Sequence, residues 1–192
     1  MYSLLIDTHD ENVICIIFKD GKVINKKEIK SNMRHSEITM PALIELINEE
    51  GIKISDISDI IVNIGPGSFT GVRIGVVIAK TMAYLLNKPI RSINSLEMLV
   101  YSREELKNGL YKVDEKNGYF VGSFDENGNL INEIEYYSFD DFNTQFKNKE
   151  FVNVDKLDFN NIYQNVIKKK PINPHLVNPL YVKKIEVLKW FL

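Results

Sequence analysis

Several things are scarce in this sequence. One cysteine and three histidines in 192 residues leave little material for a zinc site, which takes four or so Cys, His or carboxylate ligands. Cys15, alone in an apolar stretch, excludes an internal disulfide framework and is expected to be a buried thiol in a reducing cytosol. Charge of one sign is missing too. The chain has 24 basic and 26 acidic residues, net −2, so there is no overall basic footprint for binding RNA on its own. No apolar run reaches the roughly 20 residues of a transmembrane helix, and residues 1–7 lack the basic start and apolar length of a signal peptide. A soluble, cytoplasmic protein with no membrane partner is expected. Glycine runs out early: Gly128 is the last of ten. The second half therefore offers no glycine-rich nucleotide turn.

What is present centres on residues 59–87. Ile60, Ile61, Val62 and Ile64 make a short β-branched run, expected as a buried strand. Gly65-Pro66-Gly67 breaks it, and Ser68 or Thr70 can cap a helix running to about Asn87. A strand, a glycine turn and a helix start can aim backbone N–H groups at an anion. The same turn can instead bring helix and strand close together. Gly65, Gly67, Ser68, Thr70 and Gly71 are the residues of this turn or anion site. It is not a P-loop, because no Lys-Ser/Thr pair follows Gly71. The helix is apolar nearly all round, with Val72, Gly75, Val76, Ala79, Met82 and Ala83 on one face and Ile74, Val77, Ile78, Thr81 and Leu85 on another. Such a helix is buried on more than one side. Gly71 and Gly75, four apart, let another backbone approach despite their cost in helix propensity. One face is expected to cover the protein's own sheet and the other to meet another helix or chain.

Along the rest of the chain, residues 4–6 read as a first strand ending at Asp7. Strands at 13–18 and 23–29 flank a turn at 19–22. A helix lies between residues 34 and 50, with Met40, Leu43, Ile44 and Ile47 at helical spacing, Pro41 near its start and Gly51 at its stop. A strand at 90–93 and a helix at 95–106 follow. The second half partly repeats the first. Asn117-Gly118 and Asn127-Gly128 are hairpin turns, Ser138 opens a short helix to about Phe146, residues 151–154 form a strand and 160–169 a helix. Each half reads β-β-β-α-β-α, the second reduced. Pro171, Pro174 and Pro179 mark an extended connector, and residues 181–192, with Trp190 and Phe191 as anchors, read as a last helix packing back on the first half.

The run GPGSFTGVRIG at 65–75 resembles the signature of the bacterial TsaB (YeaZ) family. His35-Ser36-Glu37, Ser95-Leu96-Glu97, Asp114-Glu115-Lys116 and Pro179-Leu180-Tyr181-Val182-Lys183 follow the family's order too. The resemblance implies an α/β fold of the duplicated actin-like ATPase and sugar-kinase (ASKHA) superfamily. Its first lobe would be residues 1–100, joined by the helix at 180–192, and its smaller second lobe and connector 101–179. It also implies a non-catalytic subunit in the synthesis of N6-threonylcarbamoyladenosine (t6A) at position 37 of tRNA. That subunit would pair with the TsaD transferase, join a TsaE ATPase in a larger complex, self-associate as a homodimer and meet tRNA only through the complex. The glycine-notched helix is the expected interface, through Val72, Gly75, Val76, Ala79 and Ala83, supported by Met40, Leu43, Ile44 and Ile47.

Catalytic readings find little support in the residues. Asp7-Thr8-His9-Asp10-Glu11-Asn12 holds the first-lobe phosphate position without glycine, and Asp10 and Glu11 repel phosphate. TsaD carries two metal-binding histidines four apart. The matching stretch here reads Ser95-Leu96-Glu97-Met98-Leu99, and His35 is followed at i+4 by Thr39. No metal, cofactor or catalytic residue is expected. A small ATPase or kinase of the superfamily, or a peptidase using Ser68, are the alternatives.

Overall fold

Alternation along three strands builds the centre of the computed structural model, which describes residues 1–183. β1 (Tyr2–Asp7) runs antiparallel to β2 (Asn12–Lys19) and parallel to β4 (Ile57–Asn63). β3 (Lys22–Lys30) adds to β2 and β5 (Ile90–Ile93) to β4, giving the order β3-β2-β1-β4-β5. Successive strand residues point to opposite faces. Leu4, Ile6, Cys15, Ile17, Ile60 and Val62 therefore share one core, and Leu5, Ile16, Phe18 and Ile61 another. A sheet buried on both faces explains the nearly unbroken apolar runs of β1, β2 and β4. β3 keeps lysines along its exposed side, which guards a sheet edge.

Two helices, α1 (His35–Glu49) and α2 (Phe69–Leu86), cover the first of these faces. Helix α1 runs through Pro41 and stops at Gly51, which takes a φ of 63°. Helix α2 is capped by Ser68 and ends at Asn87 with a φ of 50°. At 18 residues α2 is long and apolar enough to cross a membrane by those criteria alone, against the expectation that no such segment exists. Its length lies against the protein's own sheet, where Val72, Val76, Ala79 and Ala83 join the core.

The other face is covered by α3 (Ser95–Tyr101) and, from far along the chain, α5 (Phe159–Val166), through Met98, Ile162, Tyr163 and Val166. Helix α3 stops at Tyr101 rather than about 106. Ser102 there accepts the Asp158 N–H at 2.6 Å and ties the chain to the start of α5.

The second sheet is the meander β6 (Gly109–Glu115), β7 (Gly118–Phe124) and β8 (Glu135–Ser138). Tyr111, Phe120 and Phe124 pack with Leu96 and Val100 of α3 on one side. On the other, α4 (Phe139–Gln145) lays Phe139 and Phe142 on Tyr119. Phe151 pairs in parallel with Leu110 of β6, as β4 pairs with β1, so the smaller sheet repeats the order of the larger. The expected strand at 151–154 is reduced to this one bridge. The turn at Asn127-Gly128 forms, with Gly128 at a φ of 76° and the Asp125 carboxylate accepting the Asn127 and Asn129 N–H groups. It leads only to a Phe124–Leu130 bridge, and the third strand waits until Glu135.

After α5 the chain stays on the larger sheet. Ile172 bridges Ile90, and a 3-10 turn at Pro174–Leu176 lies along α2, where the Lys80 ammonium donates to the Val177 carbonyl at 3.0 Å. The expected final helix falls mostly on residues 184–192, including Trp190 and Phe191, which lie outside the described residues. Residues 181–183 are not helical.

Candidate functional site

The glycine turn is built from both ends. The Asn63 side chain, at the end of β4, accepts the Gly65 N–H at 2.8 Å. Gly65 takes a φ of 90°, a conformation that favours glycine. Ser95, at the start of α3, donates its N–H to the Gly65 carbonyl at 2.9 Å and its hydroxyl to the Pro66 carbonyl at 2.8 Å. Ser68 then caps α2, its hydroxyl accepting the Gly71 N–H at 3.2 Å. Thr70 is exposed and takes no part in the cap.

The remaining glycines of the motif face the loop between β1 and β2. Gly67 lies against the His9 carbonyl, Gly71 against the Thr8 carbonyl and Gly75 against the Thr8 hydroxyl. A Cβ at any of the three would come closer than 3.0 Å to those atoms. Two hydrogen bonds of 2.7 Å fasten the contact: Ser68 N–H to the His9 carbonyl, and Thr8 hydroxyl to the Gly71 carbonyl. The backbone that these glycines admit is the chain's own. The turn packs a helix on a loop, and the Ser68 N–H, which an anion would need, already has its acceptor.

The loop is fixed by two histidines. Asp7 is buried, and one carboxylate oxygen accepts both the His9 N–H, at 3.0 Å, and His9 Nδ1, at 2.7 Å. Burial alone would push the Asp7 pKa up. The His9 charge and its hydrogen bonds outweigh burial and hold the carboxyl below its ordinary range. For His9 burial works downward, but Asp7, with Asp10 adding to it, raises the imidazole above its ordinary value. His35 is buried and donates Nε2 to the Asp10 carbonyl at 2.8 Å, while Thr39 donates its hydroxyl to the His35 carbonyl. His9 is thus half of an ion pair with Asp7. The Asp-x-His spacing at a strand end was the available signal, since an Asp there accepts backbone N–H two residues on. Asn63 and Thr8 carried no comparable sequence pattern. Among the described residues no three His, Cys, Asp or Glu side chains gather as a metal would need.

Helix α2 corrects the expected interface. Val72, Val76, Ala79 and Ala83 are at most 3% exposed, and Gly75 is buried against Thr8. These residues face the chain's own sheet and loop, because the small side chains are the ones that let α2 approach closely. Of the α1 residues, Leu43 and Ile47 are buried in the same core, while Met40 and Ile44 are exposed. The outward row of α2 is Phe69, Arg73, Val77, Tyr84 and Leu85, with Val77 58% and Leu85 74% exposed. Both helices lie on one side of the sheet, so Met40 and Ile44 face away from it along with this row. Arg73 lies over the Phe69 ring at 5.0 Å. Apolar side chains in such a row, on a helix otherwise packed down, make a candidate docking face.

The sheet order, the parallel β1–β4 pair and the reduced repeat give an α/β fold of the duplicated actin-like kind, with two lobes, the second diminished. Residues 26–157 match the family described as tRNA N6-adenosine threonylcarbamoyltransferase, TsaD. The chain belongs to this family, and several of its relatives are named TsaB. It is 40% identical over 99 residues to the tRNA threonylcarbamoyladenosine biosynthesis protein TsaB of Bacillus subtilis, covering 52% of this chain and 43% of that one. A Mycoplasma pneumoniae protein, the MG208 homolog, is 28% identical across 95% of both chains. The solved structure of YeaZ from Pseudomonas aeruginosa superposes with a TM-score of 0.74 at 16% identity, over 94% of this chain and 99% of that one. The chain spans about half the length of the curated TsaB relatives it matches.

Proposed function

We propose that this chain is a non-catalytic subunit in t6A synthesis on tRNA, acting in the cytoplasm by docking a TsaD-like transferase on the outer face of α1 and α2. The observation that carries this reading is the packing of Gly67, Gly71 and Gly75 onto residues 8–9. The glycine turn that could have cradled an anion is filled by this chain's own backbone. The outward residues Val77, Tyr84 and Leu85 are more than half exposed. Residues 1–100 carry the docking face, and the lobe built on β6, β7 and β8 is secondary. A TsaE-like ATPase joins the assembly, tRNA is met only through it, and in the partner's absence the same face pairs two copies of the chain.

Reconstitution tests the role. Threonylcarbamoyl transfer to tRNA by the TsaD-like transferase of the same organism should depend on added chain, and the chain alone should neither transfer nor bind ATP with one-site stoichiometry. Transfer at full rate without the chain, or stoichiometric ATP binding by it, would count against the proposal.

A further inference from the structure

One short extended run touches a core of each lobe and the docking face. Val177 is buried in the core under α1 and α2. Three residues on, Leu180 donates its N–H to the Ile64 carbonyl at 2.7 Å, at the end of β4. From there the chain crosses to the second lobe, and its side chains alternate. Leu180 and Val182 pack into the core of Tyr111, Phe120 and Phe124, while Tyr181 turns the other way and lies on Phe69 at 5.3 Å. Lys183 then pairs with Glu115 of β6 and stands over the Tyr136 ring of β8 at 4.0 Å. Further back, the His175 ring meets Tyr84 at 5.0 Å. Residues 175–181 are therefore laid along α2 from Tyr84 to Phe69, with an aromatic contact on the exposed row at each end.

We propose that residues 177–183 form a strap that carries partner docking on α2 to the second sheet, with Tyr181 as the positioning residue. The proposal rests on the docking face described above and adds a consequence to it. A partner that covers Phe69 also covers Tyr181, which is half exposed beside it. In an extended chain, fixing one side chain fixes its two neighbours on the opposite side. Leu180 and Val182 are those neighbours, and they are part of the second lobe's core. Docking on the first lobe would thus quiet local opening of the second, although no partner atom need touch it.

Amide hydrogen exchange on the full chain, alone and with the TsaD-like transferase, tests this. In the wild type, the partner should slow exchange in α2 and, by about tenfold or more, in β7 and β8. Tyr181→Ala should keep the slowing in α2 and lose it in β7 and β8, and Tyr181→Phe, which retains the stack on Phe69, should keep both. Slowing of β7 and β8 that survives in Tyr181→Ala would overturn the relay, and so would its absence in a wild type whose α2 is protected. Loss of α2 protection in Tyr181→Ala would make Tyr181 a docking contact and nothing more, which also overturns it. If the partner leaves α2 itself unprotected in the wild type, the docking face fails first and the strap falls with it.

Discussion

At the scale of single residues, glycine matters here for what it lacks. Gly67, Gly71 and Gly75 need no special backbone conformation; what each must do without is a Cβ. Gly71→Ala would press a methyl group on the Thr8 carbonyl, a backbone atom with little room to yield. It should cost about 1–3 kcal/mol and lower the melting temperature by several degrees in a calorimetric scan. Gly75→Ala meets a side-chain hydroxyl instead, so Thr8→Ala should relieve it in a double mutant and leave Gly71→Ala unrelieved. The four-residue glycine spacing was legible in the sequence. The loop it receives was not, because Thr8 bonds to Gly71 across 63 positions of chain. The Asp7–His9 pair yields a second expectation. Asp7 titrates below its ordinary 3.8, so its contribution is present above that value and lost as pH falls through the lowered one. His9 titrates above its ordinary 6.5, so its contribution is present below that value and lost as pH rises through the raised one. The stability difference between wild type and His9→Gln, from denaturant melts, should be largest between those ordinary values and shrink on either side. A difference that grows through neutral and alkaline pH would sink the pair as a stabilising contact.

At the scale of elements, α2 shows what periodicity can and cannot say. Its boundaries follow from the sequence alone, which left the cap between Ser68 and Thr70. Which face meets the sheet does not, because both faces are apolar and the choice depends on the shape of what lies beneath. The small residues went inward, against β1, β4 and the loop at Thr8, and the larger Val77, Tyr84 and Leu85 stayed outside. Variants on the two faces should therefore behave oppositely. Ala79→Arg places a charge in a site with no exposure and should abolish cooperative folding, since an unpaired buried charge is among the costliest of substitutions. Val77→Arg should leave thermal stability within about 0.5 kcal/mol of the wild type, yet weaken binding of the TsaD-like transferase by about thirtyfold or more if Val77 is a central contact. Circular dichroism melts beside a titration calorimeter would separate the two. A folded Ala79→Arg protein would mean that the sheet-facing side has been misplaced.

At the scale of the molecule, the duplication was legible because turn chemistry survives where strands shrink. Asn117-Gly118, Ser138 and the short helix after it all fall where the repeat requires them. The one-residue bridge at Phe151 and the late start of β8 were not legible, since pairing there is set by contacts with α3 and α4 rather than by local propensity. Nor did the sequence reveal that α5 would cross back to cover the first sheet, a long-range choice that joins the lobes through Ile162, Tyr163 and Val166. The resulting body presents its outward apolar row on the lobe whose glycine turn is filled by residues 8–9. The most direct measurement is size-exclusion chromatography with light scattering, mixing the chain with the TsaD-like transferase of its own organism, wild type and Val77→Arg side by side. The expected result is a stable complex of the two chains for the wild type and separate species for the variant. No wild-type complex at about 50 μM of each chain, a concentration that reveals even micromolar affinity, would contradict the docking role, and a Val77→Arg complex as stable as the wild type's would contradict its place on α2.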